Sequence, residues 1–273
     1  MNTVRFWIKQ YAFVVFLVLT LLLSWWAWPL FLQDRMPLAI LPAGPALAAL
    51  IVVPLAFGRK GVLVWLKTSF KWRVRPFWYL VAIGFPVVLT AVPAGINILL
   101  GATPSTANWP SNISDYLMEE VVFTLILVAL GEEMGFSAFA QPNLLSRRSV
   151  LLTVGILALT RVVWHLPLFL TGDTEWPVVL LLIPTQLIFT WMFIGSGGSA
   201  LLMILSHMSI AAIGNPFFTR LFSGAEMTQV VWLQAAAFVI AGFILLLTSD
   251  FWRKDSHVTE TAVTDDVQTA VIP

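Results

Sequence analysis

Apart from Glu119 and Glu120, five ionisable side chains lie within otherwise apolar stretches of this sequence, and their types could support chemistry. They are two adjacent glutamates, an arginine and two histidines: Glu132, Glu133, Arg161, His165 and His207. Charges inside a bilayer are costly, so such residues need a partner or a function. Carboxylates and imidazoles together can activate water, by general base catalysis or through a bound divalent metal such as zinc. A structural hydrogen-bonding cluster and a proton path are the alternatives.

The spacing of these residues predicts that they lie at one depth in the membrane. The arginine pair at 147–148 would mark a turn between two antiparallel helices. The glutamates then lie about 15 residues before the turn and His165 about 17 after it, roughly 22 to 25 Å along each helix. His207 would enter from a later helix. One converging polar pocket, open toward the cytoplasmic side, is therefore predicted.

The elements that must position these residues are predicted to be membrane-spanning helices. Hydrophobic residues make up 59% of the chain and charged residues 11%, and the mean hydropathy is +0.89. A soluble protein carries roughly a quarter charged residues, so soluble and disordered classes are excluded. Apolar runs long enough to cross a bilayer predict eight spans, at about 11–33, 36–57, 77–100, 116–146, 149–171, 176–196, 198–214 and 228–249. The predicted fold is an all-α bundle of about eight transmembrane helices with a polar intramembrane cavity.

The distribution of basic residues predicts the orientation of the bundle. Twelve of the 15 lysines and arginines fall on one side of the predicted spans, which should face the cytoplasm together with both termini. Residues 1–254 are predicted to form one polytopic domain in the plasma membrane of a prokaryote, and residues 255–273 a disordered cytoplasmic tail. Glu119 and Glu120 are interpreted as interfacial. The segment 59–75 is interpreted as an ordinary cytoplasmic connection or as a helix lying on the leaflet.

Composition also limits the partners and cofactors. The chain has no cysteine, which excludes disulfides and thiolate metal sites. A net charge of +1 gives no field that would attract nucleic acid, and no phosphate-loop pattern suggests a nucleotide. The expected partners are the lipid bilayer and a peptide or protein substrate.

Three short segments carry the candidate residues in a fixed order. They are GEEMGFSAF at 131–139, WHLPLF at 164–169, and GSALL at 198–202 leading to His207. In this order they resemble the motifs of the CAAX-protease and bacteriocin-processing (CPBP) family, which includes the type II CAAX prenyl protease. The resemblance covers about residues 115–215.

The resemblance implies an intramembrane endopeptidase that cleaves a membrane-associated or lipid-modified peptide. Glu132 and His165 would position the attacking water, with Glu133 supporting them. His207 would hold the oxyanion that forms on the scissile carbonyl. If a divalent metal takes part, Glu132, His165 and His207 are its expected ligands. A mechanism through the glutamate alone is equally compatible with the resemblance.

Two positions depart from the family pattern. Ser137 stands where the first motif has arginine, and Ala211 where the third has asparagine or aspartate. Arg161 should lie level with Ser137 on the neighbouring helix, and we expect it to supply the missing guanidinium by pairing with Glu133. The departures also favour an alternative function, a catalytically impaired relative that binds membrane peptides or acts in immunity or regulation. A proton-coupled transporter is a third hypothesis.

Overall fold

The computed structural model describes residues 3–109, 111–116 and 121–253. All regular structure among these residues is helical, which confirms the predicted all-α fold. The predictions for Glu119, Glu120 and the tail at 255–273 lie outside the described residues.

The main helices follow one another along the chain with short connections. They are α1 (Thr3–Gln10), α2 (Ala12–Trp25), α3 (Gly44–Ser69), α4 (Pro76–Leu99), α5 (121–145), α6 (Val150–Trp164), α7 (Leu166–Thr171), α8 (Val178–Gly195), α9 (Leu201–Met208) and α10 (Gly224–Thr248). Shorter helical turns lie at Trp28–Phe31, Thr106–Asn108, Ile113–Tyr116, Asn215–Phe217 and Thr219–Leu221.

Most of these helices have the length and composition of membrane spans. Among the described residues, six helical stretches qualify, the regions of α2, α3, α4, α8, α9 and α10. The helix α6 is apolar but has only 15 residues, about 22 Å of rise against a hydrocarbon core of about 30 Å. These helices show a multi-pass integral membrane protein, and with α5 they are compatible with the predicted eight spans.

The second span differs from its prediction. Residues 36–43 contain two prolines and stay irregular, so α3 begins at Gly44 and not at about 36. The helix then continues to Ser69, through the basic segment that could have been an ordinary connection. A bend at Gly58 makes this possible, because its φ of 66° and ψ of −162° are accessible chiefly to glycine.

The fifth predicted span, 149–171, is broken in two. Its first helix, α6, ends at Trp164, and α7 begins two residues later. Pro167 explains the break, because proline has no backbone N–H and its ring clashes with the preceding turn of a continuous helix. His165 therefore lies at the break between α6 and α7 and not within a regular helix.

The helix α5 packs tightly against the start of α3. A Cβ on Gly131 would lie 2.8 Å from the Cα of Ala43, and one on Gly135 would meet Pro45 at 2.5 Å. Small residues allow helices in membranes to approach so closely. The indole N–H of Trp65, on α3, donates a 2.8 Å hydrogen bond to the carbonyl of Met134, next to the glutamate pair. The two glutamates are thus held on a helix whose opposite face is fixed by α3.

Candidate active site

The backbone of α5 is irregular on both sides of the glutamate pair. The α-helical turn Gly131–Gly135 is preceded by a π-helical segment, Thr124–Leu130, and followed by another, Phe136–Ala140. A third, Ser209–Gly214, directly follows the end of α9 that carries His207. Such segments are rare and occur often at functional sites, because the wider turn redirects the side chains around it. The motif spacing did not predict them.

Glu133 is the centre of a buried ionic cluster. Its Oε2 accepts hydrogen bonds from the Arg161 guanidinium, Nη2 at 2.6 Å, and from the Ser137 hydroxyl. Its Oε1 accepts one from His207 Nδ1 at 2.9 Å. The Glu133 side chain is fully buried, so each of these donors offsets part of the cost of removing a carboxylate from water. The structure therefore brings together the first motif, α6 and α9.

Arg161 is turned toward both glutamates. Besides its bond to Glu133, its Nη1 lies 3.6 Å from Glu132 Oε2. The guanidinium carbon lies 4.6 Å from the ring centre of Phe136 and 5.7 Å from that of Phe189. A cation between aromatic faces and carboxylates is well accommodated in a dry site. Arg161 thus occupies, from α6, the neighbourhood of the arginine that the first motif lacks at position 137.

A chain of buried amides holds Arg161 from the other side. Its Nε donates to Gln186 Oε1 at 2.8 Å, and Gln186 Nε2 donates to Gln141 Oε1 at 3.0 Å. The hydroxyl of Thr190 bonds to the same Gln141 oxygen at 3.3 Å. Sequence reasoning missed these residues because it considered only ionisable groups within the spans. The sequence does indicate them, since a glutamine inside an apolar span also requires a buried hydrogen-bonding partner.

One carboxylate oxygen of Glu132 accepts no hydrogen bond within the described part of the chain. Its Oε2 is buried and accepts no hydrogen bond from the described residues, while His207 Nδ1 lies 4.0 Å away. The cluster can be reached from the side of His207, whose side chain is 19% exposed, against 5% or less for Glu132, Glu133 and Arg161. His207 is therefore the member of the cluster that a small polar molecule would meet first.

His165 is oriented by the backbone of α6. Its Nδ1 lies 2.7 Å from the carbonyl of Arg161, and a carbonyl can only accept, so Nδ1 carries the proton and Nε2 has the free lone pair. The ring lies edge-on to Trp164, with ring centres 4.7 Å apart. A hydrogen bond from Nδ1–H to a backbone carbonyl is a common way to orient a histidine that acts through Nε2.

The group that could hold a metal differs from the expected one. Among the described residues, ligand atoms of Glu132, Glu133 and His207 lie within 4.8 Å of one another. His165, expected as a ligand with Glu132 and His207, is not a member, because its place at the break directs its ring to the Arg161 carbonyl. Two carboxylates and one imidazole suit a divalent ion such as zinc.

The fold and this cluster define a class, a polytopic helical membrane protein with a buried carboxylate, guanidinium and imidazole site. Residues 115–213 match the family model described as type II CAAX prenyl endopeptidase Rce1-like. This segment contains all three motifs, so the match confirms the resemblance to the CAAX-protease family. No curated protein matches the chain.

Proposed function

We propose that the chain is an intramembrane endopeptidase that hydrolyses a peptide bond of a membrane-associated or lipid-modified substrate. The observation that carries the proposal is the buried Oε2 of Glu132, which accepts no hydrogen bond among the described residues and lies beside the ion-paired Glu133. A carboxylate oxygen without a hydrogen bond in a dry site is suited to take a proton from water. The family match, over the segment that holds these residues, supports peptide hydrolysis over proton transport.

The first step in this proposal is attack by water. Glu132 Oε2 accepts a proton from the water molecule, whose oxygen forms a bond to the scissile carbonyl carbon. The carbonyl oxygen becomes an oxyanion, which His207 stabilises through its Nε2–H in the imidazolium form, the form in which Nδ1–H also donates to Glu133. A donor that is aimed in advance at an oxyanion typically contributes about 100 to 1,000-fold in rate.

The second step is collapse of the tetrahedral species. Glu132 returns its proton to the amide nitrogen, the C–N bond breaks, and a carboxylic acid and an amine leave; the acid then loses its proton to solvent. His165, with its Nε2 lone pair free, is the second group that can position water or accept a proton. In this scheme Glu133 does not react; it holds Arg161 and His207 in place.

A divalent metal is compatible with this residue set. Glu132, Glu133 and His207 would hold it, and Glu132 Oε2 is a donor atom that accepts no hydrogen bond among the described residues. When bound, the ion would supply electrophilic activation of water. Metal analysis of the protein purified without chelator is the test. Stoichiometric metal that is lost in Glu132→Ala and His207→Ala but retained in His165→Ala would support this ligand set, and loss in all three variants would favour the set expected from the motifs.

The activity itself is tested by hydrolysis in reconstituted membranes. The purified protein in proteoliposomes is incubated with a library of lipid-anchored and transmembrane peptides in water enriched in oxygen-18. The proposal predicts products whose new carboxyl terminus contains solvent oxygen, with cleavage close to one membrane surface. Products without solvent oxygen would show acyl transfer, and no product from any peptide class would favour the alternative function.

The alternative, a catalytically impaired relative that binds membrane peptides, rests on the third motif. Ala211 cannot donate a hydrogen bond to an oxyanion. The nearby hydroxyl of Ser209 is engaged elsewhere, since it donates to the carbonyl of Ile83 at 2.8 Å. Binding of a membrane peptide without turnover, unaffected by Glu132→Gln, would identify this function.

A further inference from the structure

A mainly apolar groove lies between α3 and the last turns of α5. It has a volume of about 520 Å³, including the part that opens to the outside. Val53, Trp65 and Phe139 form its buried inner wall, and the half-buried Phe57 and Val64 line its rim. The Trp65 indole, bonded to the α5 backbone, stands between the groove and the glutamate pair. The groove is therefore separate from the carboxylate cluster.

Several basic residues lie next to residues that line this groove. Arg59 and Lys60 directly follow the bend of α3 and lie between residues that line the groove, and both are exposed. Arg147 follows the lining residue Ser146, and its guanidinium donates hydrogen bonds to the carbonyls of Gln10 and Lys9 at the end of α1. Arg5 approaches from α1, since a Cβ on Gly58 would lie 2.8 Å from its Nη2. The left-handed φ of Gly58 is what brings these charges beside the apolar wall.

These cations lack acidic partners in the part of the chain that the structure describes. None of the ion pairs found there includes Arg5, Arg59, Lys60 or Arg147. The chain segments nearest the groove, 3–10, 53–68 and 138–149, contain no aspartate or glutamate. An apolar groove with an uncompensated cationic mouth at the basic end of the bundle suits a ligand with an anionic head and a hydrocarbon tail.

We propose that this groove binds a phospholipid with an anionic headgroup. One acyl chain lies against Trp65, Phe139 and Val64, and the phosphate lies between Arg59, Lys60 and Arg5. The bilayer supplies such molecules at high local concentration, and the anionic leaflet is the one that the basic end of the bundle should face. This proposal is independent of the proposed hydrolytic activity.

The test measures lipid retention by the full-length protein. The protein is exchanged into micelles that contain equal amounts of phosphatidylglycerol and phosphatidylcholine, and bound lipids are counted by native mass spectrometry. We expect one tightly held phosphatidylglycerol. The double variant Arg59→Gln/Lys60→Gln should lower its affinity about tenfold or more, since each cation near a membrane surface contributes of the order of a factor of five.

Two further variants separate a site from general attraction. Arg73→Gln/Arg75→Gln removes the same charge at the same end of the bundle, away from the groove lining, and should leave phosphatidylglycerol affinity within about twofold. Val64→Phe fills the groove without changing charge and should weaken retention severalfold. Equal losses in both charge variants, or no effect of Val64→Phe, would overturn the proposal in favour of a diffuse surface field.

The occupant can be identified directly by photo-crosslinking. With benzoylphenylalanine in place of Val64, irradiation in liposomes should add the mass of one phospholipid to the protein. A crosslink to a peptide of residues 255–273, or to a second copy of the chain, would show a protein segment in the groove and overturn its assignment to lipid.

Discussion

At the scale of single residues, Glu133 organises the site. One carboxylate accepts hydrogen bonds from a hydroxyl, a guanidinium and an imidazole that come from three helices. In the proposed function this arrangement leaves one oxygen of Glu132, the neighbouring carboxylate, without a hydrogen bond from the described residues. A charge as deeply buried as Glu133 is tolerated only while its partners are present.

Loss of Arg161 should therefore be severe. Arg161→Met removes the cation and leaves Glu133 buried without its main charge partner, which typically costs about 3–5 kcal/mol of unfolding free energy. The measurement is unfolding in mixed detergent micelles by titration with dodecyl sulfate. Arg148→Met, at an exposed position, is the matched control and should change stability by less than about 0.5 kcal/mol. Equal stability of the two variants would show that the pair with Glu133 contributes little.

Arginine at position 137 should substitute for Arg161. Ser137→Arg alone should destabilise the protein, because the position is fully buried and a second guanidinium would lie beside the first. In the Arg161→Met background the same change should recover stability, with a coupling energy of about 0.5–3 kcal/mol. The double-mutant cycle is measured with the same titration. Additive losses would contradict the idea that Arg161 replaces the motif arginine.

Much of this site could be predicted from residue types and spacing, and some of it could not. Glu133, Arg161 and His207 stand out because charges are rare in apolar helices, and helical rise alone places them at similar depth. The orientation of His165 was not predictable, because it depends on a helix break at Pro167. Sequence spacing does not encode tertiary packing. Packing determines that Glu133 belongs to the possible metal group and that Gln186 contacts Arg161.

At the scale of the elements, the contact between α5 and the start of α3 sets the position of the glutamates. Gly131 and Gly135 lie one turn apart on the face of α5 that meets the chain at Ala43 and Pro45. In a sequence, glycines spaced in this way indicate close helix packing but not the helix that they contact. Their actual partner was not predictable, because the second span begins later than its hydropathy indicated.

Adding a methyl group at this contact should separate the two helices. Gly131→Ala would place a Cβ 2.8 Å from the Ala43 backbone, so we expect about 1–3 kcal/mol of destabilisation and a loss of activity larger than the loss of stability explains. Gly155→Ala is the control, because it lies within α6 with no atom within 4 Å of the added Cβ. Alanine there should be neutral or stabilising by up to about 1 kcal/mol. Similar effects of the two substitutions would contradict the packing argument.

At the scale of the whole molecule, successive spans are predicted to alternate in direction, so that their connections fall at two ends. The predicted basic end contains the bend of α3 and the turn from α5 to α6. Hydropathy was sufficient to predict about eight helices, because each apolar run must be buried in lipid or in protein. Hydropathy predicted the bounds of individual spans less well, because prolines and the glycine at the bend of α3 determine where helices begin, break and resume.

The predicted orientation can be tested directly because the chain has no cysteine. A single cysteine at Ser146→Cys should react with a membrane-impermeant maleimide only in inside-out vesicles, and one at Asp173→Cys only in intact cells. Both positions are exposed and lie outside the main helices. The reverse pattern would place the basic end outside and would contradict the positive-inside assignment.

The central claim is that Glu132 activates the water that cleaves a membrane peptide. The most direct test is the cleavage rate of the best peptide by the wild-type protein and by Glu132→Gln, which keeps the shape of the side chain but removes its basicity. Asp250→Asn, at an exposed carboxylate, is the control. We predict a fall of about 100-fold or more for Glu132→Gln and an unchanged rate for Asp250→Asn. Cleavage by a correctly folded Glu132→Gln variant at the wild-type rate would contradict the account.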